Sequence, residues 1–502
     1  MTSLRRFFSP LVLALSLTLA PTWLSATQLP NIIFILADDL GYGDPGCYGQ
    51  TKIRTPNIDR LAAEGVRLTQ HYSGNAVCAP SRCVLMTGLH PGHAWIRNNR
   101  ERKPEGQEPM PADAVNLPKL LKEAGYVTGG FGKWGLGGPG TTGDPLKQGI
   151  DHWFGYNSQA LAHNFYPTSL WKNDQIFPLN NPPISAHDTF KPGENPDDPL
   201  SYKRFQGHQY SADVIAEEAR SFIREHHSQP FFCYIPTTVP HLALQVPDDS
   251  LQEYLGEWED PPYKGGRGYL PHHAPRAAYA AMITRMDREI GRVLDLVEDL
   301  GLDERTLFVF TSDNGPLHGE HEGLAGTDAT FFNSHGGLRN GKGTLYEGGF
   351  RVPGIVRWKG HLPAGAVCHR ITGFEDWLPT LLELAGLAER TPKGIDGISF
   401  APTLQGANQP GRPFLYREFP AYGGQQCIRE GNWKLIRTGL MPNKKSIAQG
   451  RSPSLELFDL ATDLGEQHNL ADQNPDLVSH LLALMESQHR PSALFTFPAL
   501  DP

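Results

Sequence analysis

Two apolar runs far apart in the chain each end on acidic residues. Asn31 to Ala37 (NIIFILA) runs into Asp38-Asp39, and Thr306 to Thr311 (TLFVFT) runs into Ser312-Asp313-Asn314-Gly315. An unbroken apolar run of this length fits a strand buried on both faces, and such strands belong to parallel sheets covered by helices. Helical patterns separate them at Pro56 to Glu64, Val115 to Ala124, Ala212 to His226 and Arg276 to Leu300. The last carries Met282, Met286, Ile290, Val293 and Val297 on one face. Further strands are expected at Tyr126 to Phe131 and Phe231 to Ile235. The alternation predicts an α/β fold with a large mixed, mostly parallel sheet sandwiched by helices. Ligands of such folds gather at the carboxyl ends of the strands, and both acidic pairs fall there.

After Gly386 the pattern changes. Short strand-like stretches at Gln426 to Glu430 and Trp433 to Arg437 precede a helix near Pro475 to Gln488. This predicts a smaller C-terminal α+β domain with an antiparallel sheet. The expected division is a leader over residues 1–26, a large catalytic domain over 27–386 and a C-terminal subdomain over 387–502. The 53 glycines and 43 prolines call for many turns and long loops. Polar loops at 138–144, 180–198 and 261–275 are long enough to expect a functional role.

The leader has Arg5 and Arg6 before the apolar stretch Phe7 to Leu19, then the small residues Ser25 and Ala26. It reads as a cleaved secretory signal, being short for a membrane span of ~20 residues. The mature protein is then expected to be exported, periplasmic or secreted, with no membrane attachment after cleavage. A formal net charge of −9 argues against a general polyanion binder such as a nucleic-acid-binding protein, while leaving room for a local basic pocket. The six cysteines (Cys47, Cys78, Cys83, Cys233, Cys368, Cys427) are too sparse for a disulfide scaffold. Cys368 with Cys427 is the expected bridge, since both lie in the C-terminal third.

Asp38, Asp39, Asp313 and Asn314 offer only oxygen donors, which suits a hard cation such as Ca2+ or Mg2+. Taken singly, either pair suits a helix cap or turn as well. Cys78-Ala79-Pro80-Ser81-Arg82, followed by Thr87-Gly88, carries the more specific pattern. It resembles the signature of the sulfatase family, within the alkaline-phosphatase-like superfamily, and the resemblance extends over most of the chain. It is nearest to arylsulfatase A-like and N-acetylgalactosamine-6-sulfatase-like members.

The resemblance implies that Cys78 is converted to formylglycine, whose hydrated aldehyde is the nucleophile. It implies metal binding, normally Ca2+ with Mg2+ as the alternative, by Asp38, Asp39, Asp313, Asn314 and residue 78. Gly132-Lys133-Trp134 and Gly341-Lys342-Gly343-Thr344 match segments carrying sulfate-binding lysines, and Pro240-His241 matches the pocket histidine. Lys133, Lys342, Arg82 and the metal would offset the charge of the transition state. His241 would protonate the leaving alcohol, and Asp313 is a candidate to accept the nucleophile's proton. Leu457 to Leu470 resembles a structural C-terminal signature. In one departure, Gly135 stands where many relatives have a histidine that contacts the formylglycine diol. That contact is either absent or supplied elsewhere.

Substrate contacts are expected from Arg97 and Asn98, which follow the nucleophile segment, although a surface turn fits them equally. His163-Asn164 with Trp171 suggests a sugar platform, with ordinary core the alternative for Trp171. His335 is expected to be a loop histidine that contacts substrate or is simply solvated. A zinc site at His318 and His321 is disfavoured, because zinc enzymes of the superfamily have histidine where this chain has Asn314. The implied partners are a sulfated glycan, with terminal sulfated galactose or N-acetylgalactosamine foremost, and a formylglycine-generating or sulfatase-maturating enzyme. The rival readings are a phosphonate or phosphodiester hydrolase and a glycan-binding protein with unconverted Cys78.

Overall fold

The computed structural model describes residues 29–441 and 453–501, with residue 2. The leader expected at residues 1–26 falls outside this range. The strands are β1 (Asn31–Ala37), β2 (Val66–Leu68), β3 (His71–Tyr72), β4 (Val127–Lys133), β5 (His152–Tyr156), β6 (Ser169–Lys172), β7 (Gln175–Pro178), β8 (Phe231–Pro236), β9 (Thr306–Ser312), β10 (Gly354–Arg357), β11 (Ala366–Cys368), β12 (Thr372–Gly373), β13 (Leu415–Phe419), β14 (Gln425–Glu430), β15 (Trp433–Thr438) and β16 (Ser454–Asp459). Ten of them form one sheet in the order β11-β2-β10-β9-β1-β8-β4-β5-β6-β7. Its centre, β9-β1-β8-β4-β5, is parallel throughout. Antiparallel pairs sit toward both edges, at β9-β10-β2 and β5-β6-β7.

The apolar run of β1 explains its central place. Ile33, Ile35 and Ala37 point into one core, and Ile32, Phe34 and Leu36 into a second core on the other face. The first core packs under the helices Ser211–His226 and Pro275–Asp299. All five periodic residues of the longer helix, Met282 to Val297, are buried there. The second core receives the helices Cys78–Thr87, Leu117–Glu123 and Trp377–Leu384. The helix expected from Val115 begins at Leu117, because Asn116 accepts the Lys119 amide and caps it.

The C-terminal sheet is antiparallel, in the order β13-β14-β15-β16. Its strands alternate as half-buried strands do. Ile428, Leu435 and Leu457 face the helix Pro475–Ser487, whereas Cys427, Ile436 and Phe458 face Tyr72, Val77 and Phe350 of the large unit. The small sheet therefore docks beside the start of the Cys78 helix. The expected Cys368–Cys427 bridge does not form, and all six cysteines are free thiols. Cys368 ends an edge strand of the large sheet, whereas Cys427 lies inside the small one. Proximity in sequence says nothing about the sheet each joins. Among the described residues, no helix is long and apolar enough to cross a membrane.

Candidate active site

Parallel pairing brings the carboxyl ends of β1, β9, β8 and β4 to one edge of the sheet. Those ends deliver Asp38-Asp39, Asp313-Asn314, the turn leading to His241, and Lys133. Strand β4 runs two residues beyond the expected Phe131 and ends on Lys133 itself. Gly132, at φ +140°, makes that approach to β8 feasible: a Cβ there would lie 1.9 Å from the Pro236 carbonyl oxygen. Asp39 holds a left-handed backbone at φ 65°, uncommon outside glycine and typical of functional turns. Cys78 opens its helix after an extended Val77, which faces its side chain toward the acidic edge.

The polar groups interlock around this thiol. Cys78 Sγ lies 3.4 Å from Asp38 Oδ1, 3.4 Å from Lys133 Nζ and 3.8 Å from Lys342 Nζ. Lys133 donates to Asp38 Oδ2 at 2.6 Å, and Lys342 donates to both oxygens of Asp39 at 2.6 and 2.8 Å. Arg82 is fully buried. It donates to Asp313 Oδ2 through Nε and Nη2 at 3.1 and 2.8 Å, and to the Lys133 carbonyl. Arg82 thus braces Asp313 and the Lys133 backbone and has no exposed face for substrate. The His241 Nδ1 donates to the Leu242 carbonyl at 2.7 Å, which leaves Nε2 toward the pocket, 3.5 Å from Asp39 Oδ2.

Electrostatics follow from this packing. Burial pushes the Asp38 carboxyl up, but Lys133, with His241, Arg82 and Lys342, outweighs it and holds the group far below the ordinary carboxylate range. Asp313 goes the other way, to about 6, through burial and the neighbouring Asp38 charge. Burial, then Asp313 and Asp38, push the Cys78 thiol far up, so the unmodified side chain is a poor nucleophile. Burial, then Lys342 and Lys133, depress His241 and keep it neutral.

The donor set fits a hard cation. Asn314 donates through Nδ2 to Asp39 Oδ1 at 2.7 Å, yet its buried Oδ1 has no hydrogen-bond partner. A buried amide oxygen with no donor, on a residue bonded to Asp39, is what an oxygen-seeking cation would satisfy. Asp38, Asp39, Cys78 and His241 also offer ligand atoms within 4.8 Å of one another.

A cavity of about 410 Å³ opens above the thiol. Asp39, Cys78, Lys342, His241 and His163 line it, and so do the polar or aromatic side chains of Asn99, Glu101, Gln107, Gln159, Tyr269, His321 and Tyr422. His163 stacks on His241 with ring centroids 4.5 Å apart. The other residues expected to contact substrate lie elsewhere. Arg97 is buried, pairing with Glu418 at 2.8 Å and with the carbonyls of Gly92, Ala94 and Arg490. Asn98 accepts from the Asn99 amide, and it is Asn99 that reaches the cavity while accepting from the Ala79 amide. His335 stacks on His318 at 4.2 Å, outside this lining. Trp171 donates to Glu105 and Asn164 to the Ile184 carbonyl, and neither lines the cavity. His318 bonds to Glu322 at 2.5 Å, and among the described residues it joins no metal-ligand cluster.

The sequence reading missed Gln159, Tyr269 and Tyr422. Only Tyr269 had a signal, its place in the Gly/Pro-rich loop 261–275.

The comparisons agree with the geometry. The family model described as Sulfatase matches residues 30–387, and that described as N-sulphoglucosamine sulphohydrolase, C-terminal, matches residues 339–490. The chain is 32% identical to N-acetylgalactosamine-6-O-sulfatase of Bacteroides thetaiotaomicron, over 92% of this chain and 93% of that one. It is 32% identical to arylsulfatase A of Homo sapiens, over 94% and 90%. Among solved structures, Ps i-CgsB in complex with k-i-k-neocarrahexaose superposes with a TM-score of 0.70 at 26% identity, over 92% of each chain.

Proposed function

The chain belongs to the sulfatase family and is a sulfate ester hydrolase, and from that premise we propose an exported enzyme acting on sulfated sugars. Its substrate is a terminal sulfated galactose or N-acetylgalactosamine, its nucleophile formylglycine at position 78, and its metal Ca2+. The similarity to the Bacteroides thetaiotaomicron galactosamine sulfatase supports this substrate class, and a cavity of about 410 Å³ has room for a small ligand such as a sugar unit. The observation that carries the reading is the setting of Cys78: two ammonium groups within 3.8 Å and a carboxylate at 3.4 Å, at the foot of an open cavity.

Asp38, Asp39, Asp313 and Asn314 would hold the cation, which would supply charge compensation at the sulfate. Formylglycine at residue 78 would supply a nucleophilic hydroxyl and a second hydroxyl for releasing sulfate. The protein's own groups do the rest. Lys133 and Lys342 each carry three donors, and the donor that each now points at Cys78 Sγ would turn to sulfate oxygens bound over residue 78. His241 presents Nε2 to the departing sugar oxygen, with its ring held by the Nδ1 bond to Leu242, and would relay a solvent proton there once the bound sulfate offsets the lysines that, beyond burial, keep it neutral. Asp313, with Oδ2 tied to Arg82, is placed to accept a proton from the nucleophile. Arg82 keeps that carboxylate and the Lys133 backbone in place.

Mass spectrometry of the peptide containing residue 78 is the first test, on protein from its native host or a host with a converting enzyme. Conversion of thiol to aldehyde lowers the mass by about 18 Da. A converted enzyme should hydrolyse sulfated galactosamines faster than matched phosphate esters. A preference for phosphate or phosphonate esters would overturn the sulfated-sugar assignment. A thiol at residue 78 in a competent host would overturn the nucleophile.

A further inference from the structure

One side chain in the pocket has a buried donor with nothing to bond. Gln159 is 4% exposed and lines the cavity with Cys78 and Lys342, yet its Nε2 has no hydrogen-bond partner. Its position follows from the sheet. Strands β4 and β5 end in register, with Lys133 opposite Tyr156, and the Trp134 amide donates to the Tyr156 carbonyl at 2.9 Å. The two chain segments therefore leave the sheet together, one toward Gly135 and the other toward Gln159.

Gly135 makes the room. Its backbone has φ +81°, and a Cβ there would stand 2.6 Å from Gln159 Nε2. The carboxamide thus occupies space that any larger residue at 135 would claim. Packing alone does not explain an amide there, because an apolar side chain would fill the space without burying an unpaired donor. No acceptor in the pocket wall, the carboxylates of Asp38, Asp39 and Glu101 included, lies within hydrogen-bond reach of this donor.

We propose that Gln159 is a substrate-binding residue whose amide donates to an oxygen of the sulfate group bound over residue 78. The inference rests on the sulfate-ester reading of this pocket. A neutral donor adds direction without further charge, beside two lysines that already balance the acids. It also assigns the space left by Gly135 to a group that cannot titrate.

The test uses calcium-loaded enzyme with the aldehyde verified at residue 78. Calorimetry measures binding of inorganic sulfate, and kinetics measure kcat/KM on N-acetylgalactosamine 6-sulfate. Gln159→Met keeps the length of the side chain and removes the donor. It should weaken sulfate binding and lower kcat/KM at least tenfold, with a melting temperature equal to or above that of wild type. Gln159→Glu, which faces an anion with a carboxylate, should lose more. A well-folded Gln159→Met enzyme within twofold of wild type in both assays would overturn the proposal.

A crystal structure of wild-type enzyme with inorganic sulfate decides the point without any variant. Nε2 should lie within hydrogen-bond distance of a sulfate oxygen, and a sulfate held without it would overturn the assignment. Wild-type enzyme that carries the aldehyde but hydrolyses no sulfate ester would instead refute the proposed function. The sulfate-binding comparison would still decide the role of Gln159.

Discussion

Two of the dense groups of charges that the protein buries behave differently. One surrounds Cys78. The other lies where the C-terminal sheet meets the large unit, with Glu375 and Asp376 from the turn after β12 facing Arg412 and Arg417. In the second group the carboxylate oxygens are all engaged. Glu375 receives Arg412 at 2.7 Å and Arg417 at 3.1 and 2.9 Å. Asp376 receives the Gly373 and Ile398 amides at 2.8 Å each, and pairs with Arg412. Burial raises Glu375, but Arg417 and Arg412 prevail and hold it at about 2.

The Cys78 group has comparable burial but is not closed. It leaves the Asn314 and Gln159 amides each with an unpartnered atom, and it opens to a cavity. Buried charge alone therefore does not mark an active site. Unspent bonding capacity facing a cavity does. The closed group acts as a weld between two sheets, whereas the open one keeps valence for ligands.

Four experiments test that contrast, in descending order of expected effect. Cys78→Ala should reduce kcat on a sulfate ester by about 10⁴-fold or more while the protein stays folded. Turnover that survives would remove the distinction at its centre. Arg417→Met should do the reverse. It strands Glu375 without one of its two arginines, and should cost about 3–5 kcal/mol in denaturant unfolding. Turnover per folded molecule should stay near wild type. A loss of activity at unchanged stability would mean that the weld is part of the site.

Calcium added to metal-free protein should raise the unfolding free energy by about 2.7 kcal/mol at a hundredfold excess over Kd. Arg417→Met should keep that gain, whereas Asn314→Ala, which removes the orphan oxygen, should lose most of it. An equal gain in both variants would place the cation elsewhere. The smallest effect concerns His489, which bonds to Glu418 at 2.7 Å and Asp501 at 3.1 Å. The hydrogen bond it donates to Glu418 is the chief cause of its raised pKa. A raised folded-state pKa contributes stability that is complete below the unfolded value, about 6.5, and fades as pH rises through the folded value. The melting-temperature gap between wild type and His489→Gln should therefore be widest near pH 5 and shrink toward pH 8.

Much of the scaffold was legible along the chain. An unbroken apolar strand can only be central, and the acidic residues after β1 and β9 had to meet at one edge once those strands paired in parallel. Strand β4 was read short because Gly129, Gly130 and Gly132 are weak strand formers, so its extension to Lys133 came from pairing with β5 and β8. Arg97 resisted the sequence reading for a different reason. Its position beside the nucleophile helix suggested the entrance, but its partner Glu418 lies 321 residues away and draws it inward. Asn99 and Gln159 have no motif, and only three-dimensional placement assigns them to the cavity.

Periodicity, apolar runs and motif spacing thus determined the α/β layering, the strand ends that carry the acids, and the identity of the Cys78 segment. These are local properties, written in the order of residues. Tertiary structure alone decided which charges are closed and which stay open, that the cysteines remain unpaired, and that Gly135 yields its space to Gln159. Each of these depends on the distance between atoms from remote segments, and that distance is set by how sheets and helices pack.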